Sequence, residues 1–580
     1  ETGAVGPDEA PEAFRTAYAR WVAPILVDLR PELRRFSTVT HEALIADFRT
    51  LDADLARLAS ETIRARLSGS APAKHAVGES DPRYGVLARE LRRKQGMPVR
   101  QLVSEMGSAL TALTPCLLMS PLSVAQFLPA DAEPFDLVVF DEASQITVPD
   151  AIGAIARGKR CIVVGDPKQM PPTRFFEREA GDGDEEGGMA DLESILDEAM
   201  AARLPHHRLT GHYRSRHESL LCFSNHAYYG GQLVTYPAAD TRDTVVFFRR
   251  VEGVYARGKA RTNPIEAQAV VAEVVRRLRD PVLSRLSLGV VTFNAEQQRL
   301  IEDLLDAERR ADPGLERHFD GAAGDAVFVK NLETVQGDQR DVILISVGYG
   351  PTEPGAQTMP MNFGPLNKQG GERRLNVAIT RATTEVGVFA SFDPGMIDLT
   401  RSQAAAVRDL KTYLDFAARG TVALGEAVRR AGTQDYANDF EQAIAEMLRA
   451  RGWTVRTQIG VSKFSIDLGV VHPDAPGRFL AGVECDGATY HSSPSARDRD
   501  RVRHLVLENL GWRLFRVWST DFFNDPEGAM TALDGKLSAL LEKDRAEAEA
   551  LLAEAEPEEV AGEVEAEEEA ADEVVVEGRG

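Results

Sequence analysis

The sequence predicts an α/β fold with mainly parallel sheets, and three features of its 580 residues lead to that class. From residue 111 onward, short apolar runs end in small or acidic residues, as in "FDLVVFDEAS" and "CIVVGDPKQ". Amphipathic stretches such as "IEAQAVVAEVVRRLRD" separate such runs. The alternation reappears in "FSIDLGVV", "FLAGVECDG" and "RDRDRVRHLVLENLG" near the C-terminus. Strands that alternate with helices are typical of parallel sheets.

The chain length and the local residue patterns divide the chain into several units. At about 100–200 residues per domain, the length corresponds to about three or four domains. Residues 1–110 place apolar side chains at helical spacing. The predicted units are a helical insertion or stalk over 1–110, a partial first α/β domain over 111–235, a second over 236–400, a helical linker over 401–431, a third α/β domain over 432–540 and an acidic disordered tail over 541–580.

Bulk composition bounds the class of protein. Apolar residues make up 43% of the chain, enough for large cores, and no apolar run is long enough to predict a membrane span. No signal peptide is visible, and the first residue is Glu1 rather than Met, which suggests a fragment. Cys116, Cys161, Cys222 and Cys485 lack the spacing of a zinc or redox pair, so we expect reduced, buried thiols in a cytoplasmic protein.

The net charge of −23 would argue against nucleic acid if it were evenly spread. Residues 541–580, however, hold 16 acidic and 3 basic side chains, which leaves −10 for the other 540 residues. This tail lacks aromatic residues and repels itself, so we expect it to be disordered or a loose helix. Segments such as "RELRRKQGMPVR" are strongly basic. The overall charge therefore does not exclude a nucleic-acid partner.

A pair of carboxylates, Asp141 and Glu142, follows an apolar strand directly. One interpretation is a surface turn after a buried strand. The other is a site for phosphate chemistry, in which the first carboxylate holds Mg²⁺ and the second polarises the attacking water. The next strand ends in "GDPKQ", and parallel strands deliver their ends to the same sheet edge. Gln169 would there sense a γ-phosphate.

Five segments in order give a resemblance to a known family. DEASQ, GDPKQMPP, HYRS, VQGD and RRLNVAITRA resemble motifs II, III, IV, V and VI of superfamily 1 helicases, in particular the branch of the nonsense-mediated-decay RNA helicases. The resemblance covers about 250 residues. It implies two RecA-like P-loop NTPase domains over 111–235 and 236–400.

The helicase resemblance also assigns roles to individual residues. Asp141 would bind Mg²⁺ and Glu142 would act as the base. Asp166 and Gln169 would couple the γ-phosphate to the nucleic-acid path, and Arg214 and Arg381 would be arginine fingers. Gly337 would let the backbone approach nucleotide or nucleic acid. Cationic donors suit the charge of a triphosphate transition state, and Arg is the permanently charged choice.

Two features depart from the helicase pattern. No G-x-x-x-x-G-K-[ST] segment is present, so the first domain is expected to be truncated, with its Walker A loop upstream of residue 1 in the same polypeptide. A chain that begins at Glu1 should then bind ATP poorly. Gln339 stands where the family usually has an acidic residue, and an amide bonds a ribose more weakly than a carboxylate does.

A second set of carboxylates lies near the C-terminus. Asp467 falls on one predicted strand, and Glu484 and Asp486 share a face of the next because strand side chains alternate. Glu441 falls on the preceding predicted helix. Converging carboxylates hold Mg²⁺, which activates water and stabilises the phosphate in phosphodiester cleavage.

This region resembles the PD-(D/E)xK nuclease fold, close to the very-short-patch-repair endonucleases, as "ECDGATYHSSPSARDRDRVRHLVLENLGWRLFRVWSTDFF" shows. The resemblance implies that His491 would assist as acid or base, with a structural histidine as the alternative, and that Arg497, Arg499 and Arg501 would meet DNA phosphates. Asp486 replaces the family's Lys, which leaves the general base open. We expect the two tryptophans of the segment, Trp512 and Trp518, to be core residues.

The sequence thus predicts an ATP-dependent nucleic-acid helicase or translocase fragment coupled to a Mg²⁺-dependent DNA endonuclease, in defence or DNA repair. ATP and Mg²⁺ are the expected cofactors, nucleic acid, preferably DNA, is the expected partner, and no membrane contact is expected. One alternative is a non-catalytic nucleic-acid-binding scaffold with vestigial ATPase and nuclease sites. Another is a nuclease whose ATPase half is regulatory.

Overall fold

The computed structural model describes residues 6, 10–31, 37–71, 82–172, 194–258, 260–321, 324–420, 423, 438–460, 464–486, 495 and 497–555, without the side chains of residues 20, 27, 499 and 551–555. One predicted site residue, His491, lies outside these ranges, as does the last part of the acidic tail.

Helices and strands alternate through the larger part of the described chain. The helices are α1 (Ala10–Leu29), α2 (Thr38–Ser70), α3 (Pro82–Glu90), α4 (Val99–Met106), α5 (Ser108–Leu113), α6 (Pro121–Phe127), α7 (Val148–Ile155), α8 (Ile195–Ala201), α9 (Ser219–Tyr228), α10 (Pro264–Arg279), α11 (Ala295–Ala311), α12 (Gly371–Ile379), α13 (Ala405–Arg419), α14 (Asp439–Ala450), α15 (Arg503–Asn509), α16 (Ser519–Asn524) and α17 (Pro526–Ala555). The strands are β1 (Val138–Phe140), β2 (Cys161–Val163), β3 (Val246–Arg250), β4 (Leu288–Thr292), β5 (Phe328–Asn331), β6 (Arg340–Ser346), β7 (Ala382–Ala390), β8 (Val455–Ile459), β9 (Ile466–Val471), β10 (Phe479–Asp486) and β11 (Leu514–Trp518).

The N-terminal region is helical in its described parts, as the apolar spacing predicts. Helix α2 is 33 residues long and begins after Ser37, whose side-chain oxygen accepts from the Thr40 N–H. Ile45 is the residue of α2 that is buried, while leucines such as Leu51 and Leu55 are 67% exposed. Helical spacing therefore forms the helix, but few of its side chains enter a core.

The first sheet has two parallel strands, β1 and β2. Its small core joins Phe140 to side chains of α7 and α8, including Ala151 and Leu196. The other face of the sheet is open, since Val139 is 55% exposed and Ile162 is 49% exposed. The sheet nevertheless brings the ends of both strands to one edge, where the first candidate site lies.

The second sheet is entirely parallel, with strand order β3-β7-β6-β4-β5. Its central strands are buried on both faces, as near-continuous apolar runs predict. Helix α13 falls within the stretch predicted as a linker over 401–431. That prediction is wrong for α13, because Val407, Leu410 and Leu414 are buried in the core of the second sheet.

The third sheet has the order β11-β10-β9-β8, in which β10 and β11 are parallel and the other pairs are antiparallel. Helix α17 covers it with a buried stripe at helical spacing, formed by Met530, Leu533, Leu537 and Leu541. Residues 541–555, for which we expected disorder or a loose helix, are helical and continue α17, so the disordered alternative is wrong for them. Burial of an apolar stripe stabilises a helix that charge alone would loosen.

A short segment just before β3 attaches the third sheet to the rest of the chain. The Trp512 indole N–H donates to the Pro237 carbonyl at 2.8 Å, and Arg456 Nη1 donates to the Thr241 carbonyl at 2.7 Å. Trp512 is buried, as is Trp518, which confirms the prediction that both are core residues.

Cysteine exposure differs in part from the expectation. All four cysteines are free thiols, and Cys222 and Cys485 are buried as expected, whereas Cys116 and Cys161 are exposed. Among the described helices, none combines the length and apolar character that crossing a bilayer requires.

A buried carboxylate, Glu266, ties the start of α10 to the ends of two central strands. Glu266 Oε1 accepts from Ser346 Oγ and from the Gly348 N–H, both at 2.7 Å, and Oε2 accepts from Ser391 Oγ at 3.1 Å. Burial raises the pKa of Glu266 to about 7, while these hydrogen bonds oppose the rise. The folded chain therefore binds a proton here that the unfolded chain releases near its ordinary pKa.

We predict that Glu266 makes the second domain less stable as the pH rises. Because the pKa is raised in the folded state, the contribution of Glu266 is largest below its unfolded pKa and is lost as pH rises through about 7. Relative to that of Glu266→Gln, the free energy of unfolding of the wild type should fall by about 3 kcal/mol between acidic and mildly alkaline pH. Thermal melting across this pH range is the measurement.

The matched control is Asp303→Asn, which removes an exposed carboxylate of α11 in the same domain. Its melting profile should parallel that of the wild type at every pH. Identical pH profiles for the wild type and Glu266→Gln would contradict the assignment.

Candidate active sites

The first candidate site lies where β1 and β2 end. The strands are parallel and in register, so Asp141, Glu142 and Asp166 leave the sheet at the same edge, as predicted. The Ala143 N–H donates to the Val164 carbonyl at 2.9 Å and joins the two turns. The turn after β1 therefore holds its two carboxylates beside the turn after β2.

Local backbone requirements explain two residues of these turns. Glu142 has a φ of 50°, an uncommon value for a residue with a side chain, which directs the chain sharply after the strand. A Cβ on Gly165 would lie 3.1 Å from the Ser144 nitrogen and 3.1 Å from Leu196 Cδ2. Glycine therefore lets the turn after β2 approach the turn after β1.

A chain of hydrogen bonds connects this edge to the second sheet. Tyr229 donates its hydroxyl to Asp166 Oδ2 at 2.7 Å and accepts from Asn376 Nδ2 at 3.0 Å. The Asn376 amide also donates to the Lys168 carbonyl at 3.0 Å. Burial, and then the charge of Asp166, raise the pKa of Tyr229, so its hydroxyl keeps its proton and its role as donor. Asn376 lies on α12, which leads directly to Arg381.

Two arginines, Arg214 and Arg381, lie near the carboxylate that follows β1. Arg381 is buried, and its Nε donates to the Val377 carbonyl at 2.9 Å. Burial first, and then the charge of Arg214, lower the pKa of Arg381, while the charge of Glu142 opposes that shift. Arg214 and Glu142 are thus both close enough to Arg381 to act on it electrostatically. The structure brings together the predicted base and both predicted arginine fingers.

The remaining predicted residues of the first site are more scattered. Gln169 Nε2 donates to Asp166 Oδ2 at 3.3 Å, and its Oε1 is buried without a hydrogen-bond partner among the described residues. Gly337 has a φ of 90°, and a Cβ there would meet nothing, so the backbone is open to approach. Gln339 is exposed, and its neighbour Asp338 pairs with Lys330.

The second candidate site lies on β9 and β10. Leu468 pairs with Val483 in the antiparallel register, so Asp467 and Glu484 take the next opposed positions. On the other side of β10, Glu484 pairs with Arg516 of β11. Cross-strand neighbours lie within about 5.5 Å at their Cβ atoms. The sheet therefore sets Glu484 between a carboxylate and a guanidinium.

Burial and charge together make Asp467 the most perturbed carboxylate of this site. Its Oδ2 accepts from the Cys485 N–H at 2.8 Å. Burial, followed by the charges of Glu441 and Glu484, raises the pKa of Asp467 to about 7. Three predicted residues from one helix and two strands therefore converge, and their mutual repulsion is felt at Asp467.

Two amides hold the helical carboxylate, Glu441, in place. Asn438 caps α14: its Oδ1 accepts from the Glu441 N–H at 3.0 Å, and its Nδ2 donates to Glu441 Oε1 at 2.8 Å. Gln458 donates to Glu441 Oε2 at 2.8 Å from a backbone with a φ of 47°. Both oxygens of this buried carboxylate thus have donors.

The other carboxylates of the site have arginine partners. Arg503 Nη2 lies 2.8 Å from Glu484 Oε1, and Arg516 Nη2 lies 3.5 Å from Glu484 Oε2. Arg516 also pairs with Asp486, whose pKa is raised to about 6 by burial while Arg516 opposes the rise. Across the described ranges, no three His, Cys, Asp or Glu side chains are grouped as ligands of a metal.

The predicted DNA-contacting arginines have a different partner. Arg497 Nε and Arg501 Nε lie 3.0 and 3.2 Å from the carboxylate of Asp52, on α2. The side chain of Arg499 and the whole of His491 lie outside the described residues.

Sequence reasoning missed five residues that hold these sites together: Tyr229, Asn376, Gln458, Arg503 and Arg516. Asn376 and Tyr229 stand within segments that were singled out for their arginines, so a count of polar residues in those segments would have found them. Arg516 could have been found by pairing the last predicted strand with the Glu484 strand. Gln458 carries no comparable signal, because its role depends on an unusual backbone angle.

Three family models match the chain. An AAA domain model, AAA_11, matches residues 118–176, and another AAA domain model, AAA_12, matches residues 192–393. The model REase_MTES_1575 matches residues 440–537.

Several curated relatives align with large parts of this chain. A protein called an uncharacterized ATP-dependent helicase from Mycoplasma pneumoniae is 30% identical over 445 residues, which are 73% of this chain and 38% of that protein. Its counterpart from Mycoplasma genitalium is 35% identical over 452 residues, which are 74% and 39%. The 5'-3' DNA helicase ZGRF1 of Mus musculus is 27% identical over 276 residues, which are 44% and 13%.

This chain spans about two fifths of the length of the two Mycoplasma proteins. It carries AAA helicase domains of the superfamily 1, nonsense-mediated-decay type, followed by a restriction-endonuclease-like domain.

Proposed function

We propose that the chain is part of an ATP-dependent DNA helicase or translocase whose C-terminal domain is a Mg²⁺-dependent endonuclease, acting in defence or DNA repair. The relatives named as ATP-dependent helicases and as a DNA helicase support the first part. In this proposal, Asp141 and Asp166 face the metal and γ-phosphate, and Glu142 positions the attacking water. Arg214 and Arg381 neutralise the charge that develops on the phosphate.

The observation that carries the nuclease proposal is the convergence of Glu441, Asp467 and Glu484. A protein stabilised only by burial gains nothing from bringing like charges together, and the raised pKa of Asp467 reflects that cost. A divalent cation would relieve the repulsion, and carboxylate oxygens are the ligands that Mg²⁺ prefers. The oxygen donors are therefore of the type that Mg²⁺ prefers, but in the described residues Glu484 and Asp486 are paired with arginines and no three such side chains are grouped as a metal site.

We assign roles in phosphodiester cleavage to the residues around this convergence. Asp467, Glu484 and Asp486 would hold Mg²⁺, which when bound supplies an activated water and a counter-charge for the phosphate. Glu441, fixed by Asn438 and Gln458, would orient the water. Arg503 and Arg516 are permanently charged and would face the scissile phosphate.

A non-catalytic DNA-binding scaffold is the second candidate function. The observation that favours it is the pairing of Glu484 and Asp486 with Arg503 and Arg516, since a guanidinium neutralises a carboxylate without any metal. The two candidates differ in whether Mg²⁺ produces cleavage.

We predict Mg²⁺-dependent cleavage of DNA by this chain, and its loss in Asp467→Asn and in Glu484→Gln. Each substitution removes a proposed ligand charge, so the rate should fall by more than about 100-fold, the upper range for changes to residues that merely support a ligand. Asp474→Asn is the control, because Asp474 belongs to the same domain but pairs with Arg545 on the surface. Gel analysis of a labelled duplex is the measurement. Equal rates for all variants would favour the scaffold.

We predict that Gln458→Met destabilises the C-terminal domain by about 1–3 kcal/mol, because it removes the amide hydrogen bond to Oε2 of the buried Glu441. Gln442→Met provides the comparison. Gln442 makes an equally short bond, 2.8 Å to Glu446, but on an exposed face of α14, so its loss should matter little. Chemical denaturation of the two variants measures the difference, and equal stabilities would refute the role of Gln458.

We predict that Tyr229→Phe loosens the turn after β2, because it removes the hydroxyl that links Asp166 to Asn376. Hydrogen exchange at the backbone amides of residues 166–170 should become about tenfold faster, which corresponds to the loss of one hydrogen bond of about 1.4 kcal/mol. Tyr228→Phe is the matched control, since the Tyr228 hydroxyl instead donates to Asp409 of α13 at 3.2 Å. Unchanged exchange rates in Tyr229→Phe would show that the Tyr229 hydroxyl does not stabilise the turn after β2.

A further inference from the structure

Helix α2 lies against the face of the C-terminal domain that carries the second candidate site. Its contacting residues, Thr38, Glu42, Ile45, Arg49 and Asp52, recur every three or four positions and so share one face of the helix. Thr38 Oγ1 donates to Asp521 Oδ1 at 2.6 Å, and Arg49 Nε donates to the Asp500 carbonyl at 2.6 Å.

A single carboxylate of α2 engages two arginines that were predicted to bind DNA. Asp52 lies 3.0 Å from Arg497 Nε and 3.2 Å from Arg501 Nε, and its side chain is only 12% exposed. Carboxylate and phosphate oxygens offer guanidinium groups the same acceptor geometry. Asp52 therefore occupies the position at which a DNA phosphate would meet this arginine pair.

A second carboxylate of α2 reaches the centre of the site. Glu42 Oε1 accepts from the Trp518 indole N–H at 2.8 Å and lies 3.8 Å from Arg516 Nη1. The same guanidinium is 3.5 Å from Glu484. Since α2 rises about 1.5 Å per residue, Glu42 and Asp52 stand about 15 Å apart along the domain. The helix thus presents separated negative charges, as a nucleic-acid backbone does.

Helix α2 also forms one wall of the cleft into which the site opens. This cleft has a volume of about 460 Å³, and Glu42 and Arg49 of α2 line it together with Glu484, His504 and Arg516 of the C-terminal domain. A DNA backbone that approached Glu484 through this opening would meet α2 in its path.

The contact between α2 and the C-terminal domain has the character of a reversible contact rather than of a permanent core. Ile45 is the single buried residue of α2, and it packs on Trp518. The ion pairs are unevenly exposed: the Arg497 side chain is 62% exposed and that of Glu42 44%, whereas those of Arg501 and Asp52 are 26% and 12%. The exposed pairs contribute little stability and are screened by salt, so a polyanion with many charges would compete for their arginines first.

We propose that α2 is a displaceable cover on the DNA-binding face of the nuclease domain, with Asp52 and Glu42 standing in for two backbone phosphates. The domain is held closed in this arrangement and opens when DNA competes for Arg497, Arg501 and Arg516. The proposal rests on the proposed nuclease function for its effect on cleavage, but the competition for DNA is independent of catalysis.

The test compares two double variants of equal charge. Glu42→Gln with Asp52→Asn removes both carboxylates that face the nuclease domain. Asp54→Asn with Glu61→Gln removes two carboxylates of the same helix that pair with Arg57, at 3.1 and 3.0 Å, on its exposed side. Circular dichroism confirms that both variants retain their helices.

The first measurement is binding of a short fluorescent DNA duplex in EDTA, by anisotropy. The cover variant should bind about tenfold more tightly than the wild type, since two internal competitors are gone, and the control variant should match the wild type within about twofold. Equal affinities for the two variants would overturn the proposal.

The second measurement is cleavage with Mg²⁺ on the same duplex. If the cover variant cuts faster than the control by a factor similar to its gain in affinity, the cover regulates the nuclease. If the cover variant binds DNA more tightly but neither variant nor the wild type cleaves it, the proposed cover is supported and the proposed nuclease activity is refuted. If the wild type and both variants cut at one rate, α2 does not cover the site.

Discussion

Three carboxylates, two buried and one half-buried, held at one edge of a four-stranded sheet are the constraint on which the C-terminal domain depends. Glu441, Asp467 and Glu484 come from a helix and two strands, and each needs a local device to be there: the Asn438 cap, the Cys485 N–H and the arginine pair. Burial of such charges is costly, as the pKa of Asp467, raised to about 7, reflects. The surrounding donors offset part of that cost. A bound cation would offset the remainder.

The first site is likewise formed by side chains from separate elements, which are farther apart in the chain. Its carboxylates follow the strands of the first sheet, and Arg381 directly precedes β7 of the second, so the arrangement depends on the two sheets staying together. The hydrogen-bonded chain from Asp166 through Tyr229 to Asn376 supplies that link. Because α12 carries Asn376 and ends just before Arg381, this chain ties the turn after β2 to the helix that precedes the buried arginine.

The sequence predicted those parts of the fold that depend on local pattern. The apolar strands, the shared edge of β1 and β2, and the shared face of Glu484 and Asp486, both of which pair with Arg516, follow from alternation and strand direction. It failed where packing overrides composition: α13 and residues 541–555 are polar enough to suggest a linker or a tail, yet Leu410 and Leu541 are buried. Gln458 and the contact between Asp52 and Arg501 could not be predicted, because one needs an unusual φ and the other joins residues 449 positions apart.

The most direct test of the central claim is binding of Mn²⁺, a paramagnetic substitute for Mg²⁺, followed by electron paramagnetic resonance in the absence of nucleotide and DNA. The account predicts a bound ion in the wild type and in Asp474→Asn, and its loss in Asp467→Asn and in Glu484→Gln. Binding that survives both of these substitutions, or a wild type that binds no ion at all, would contradict it.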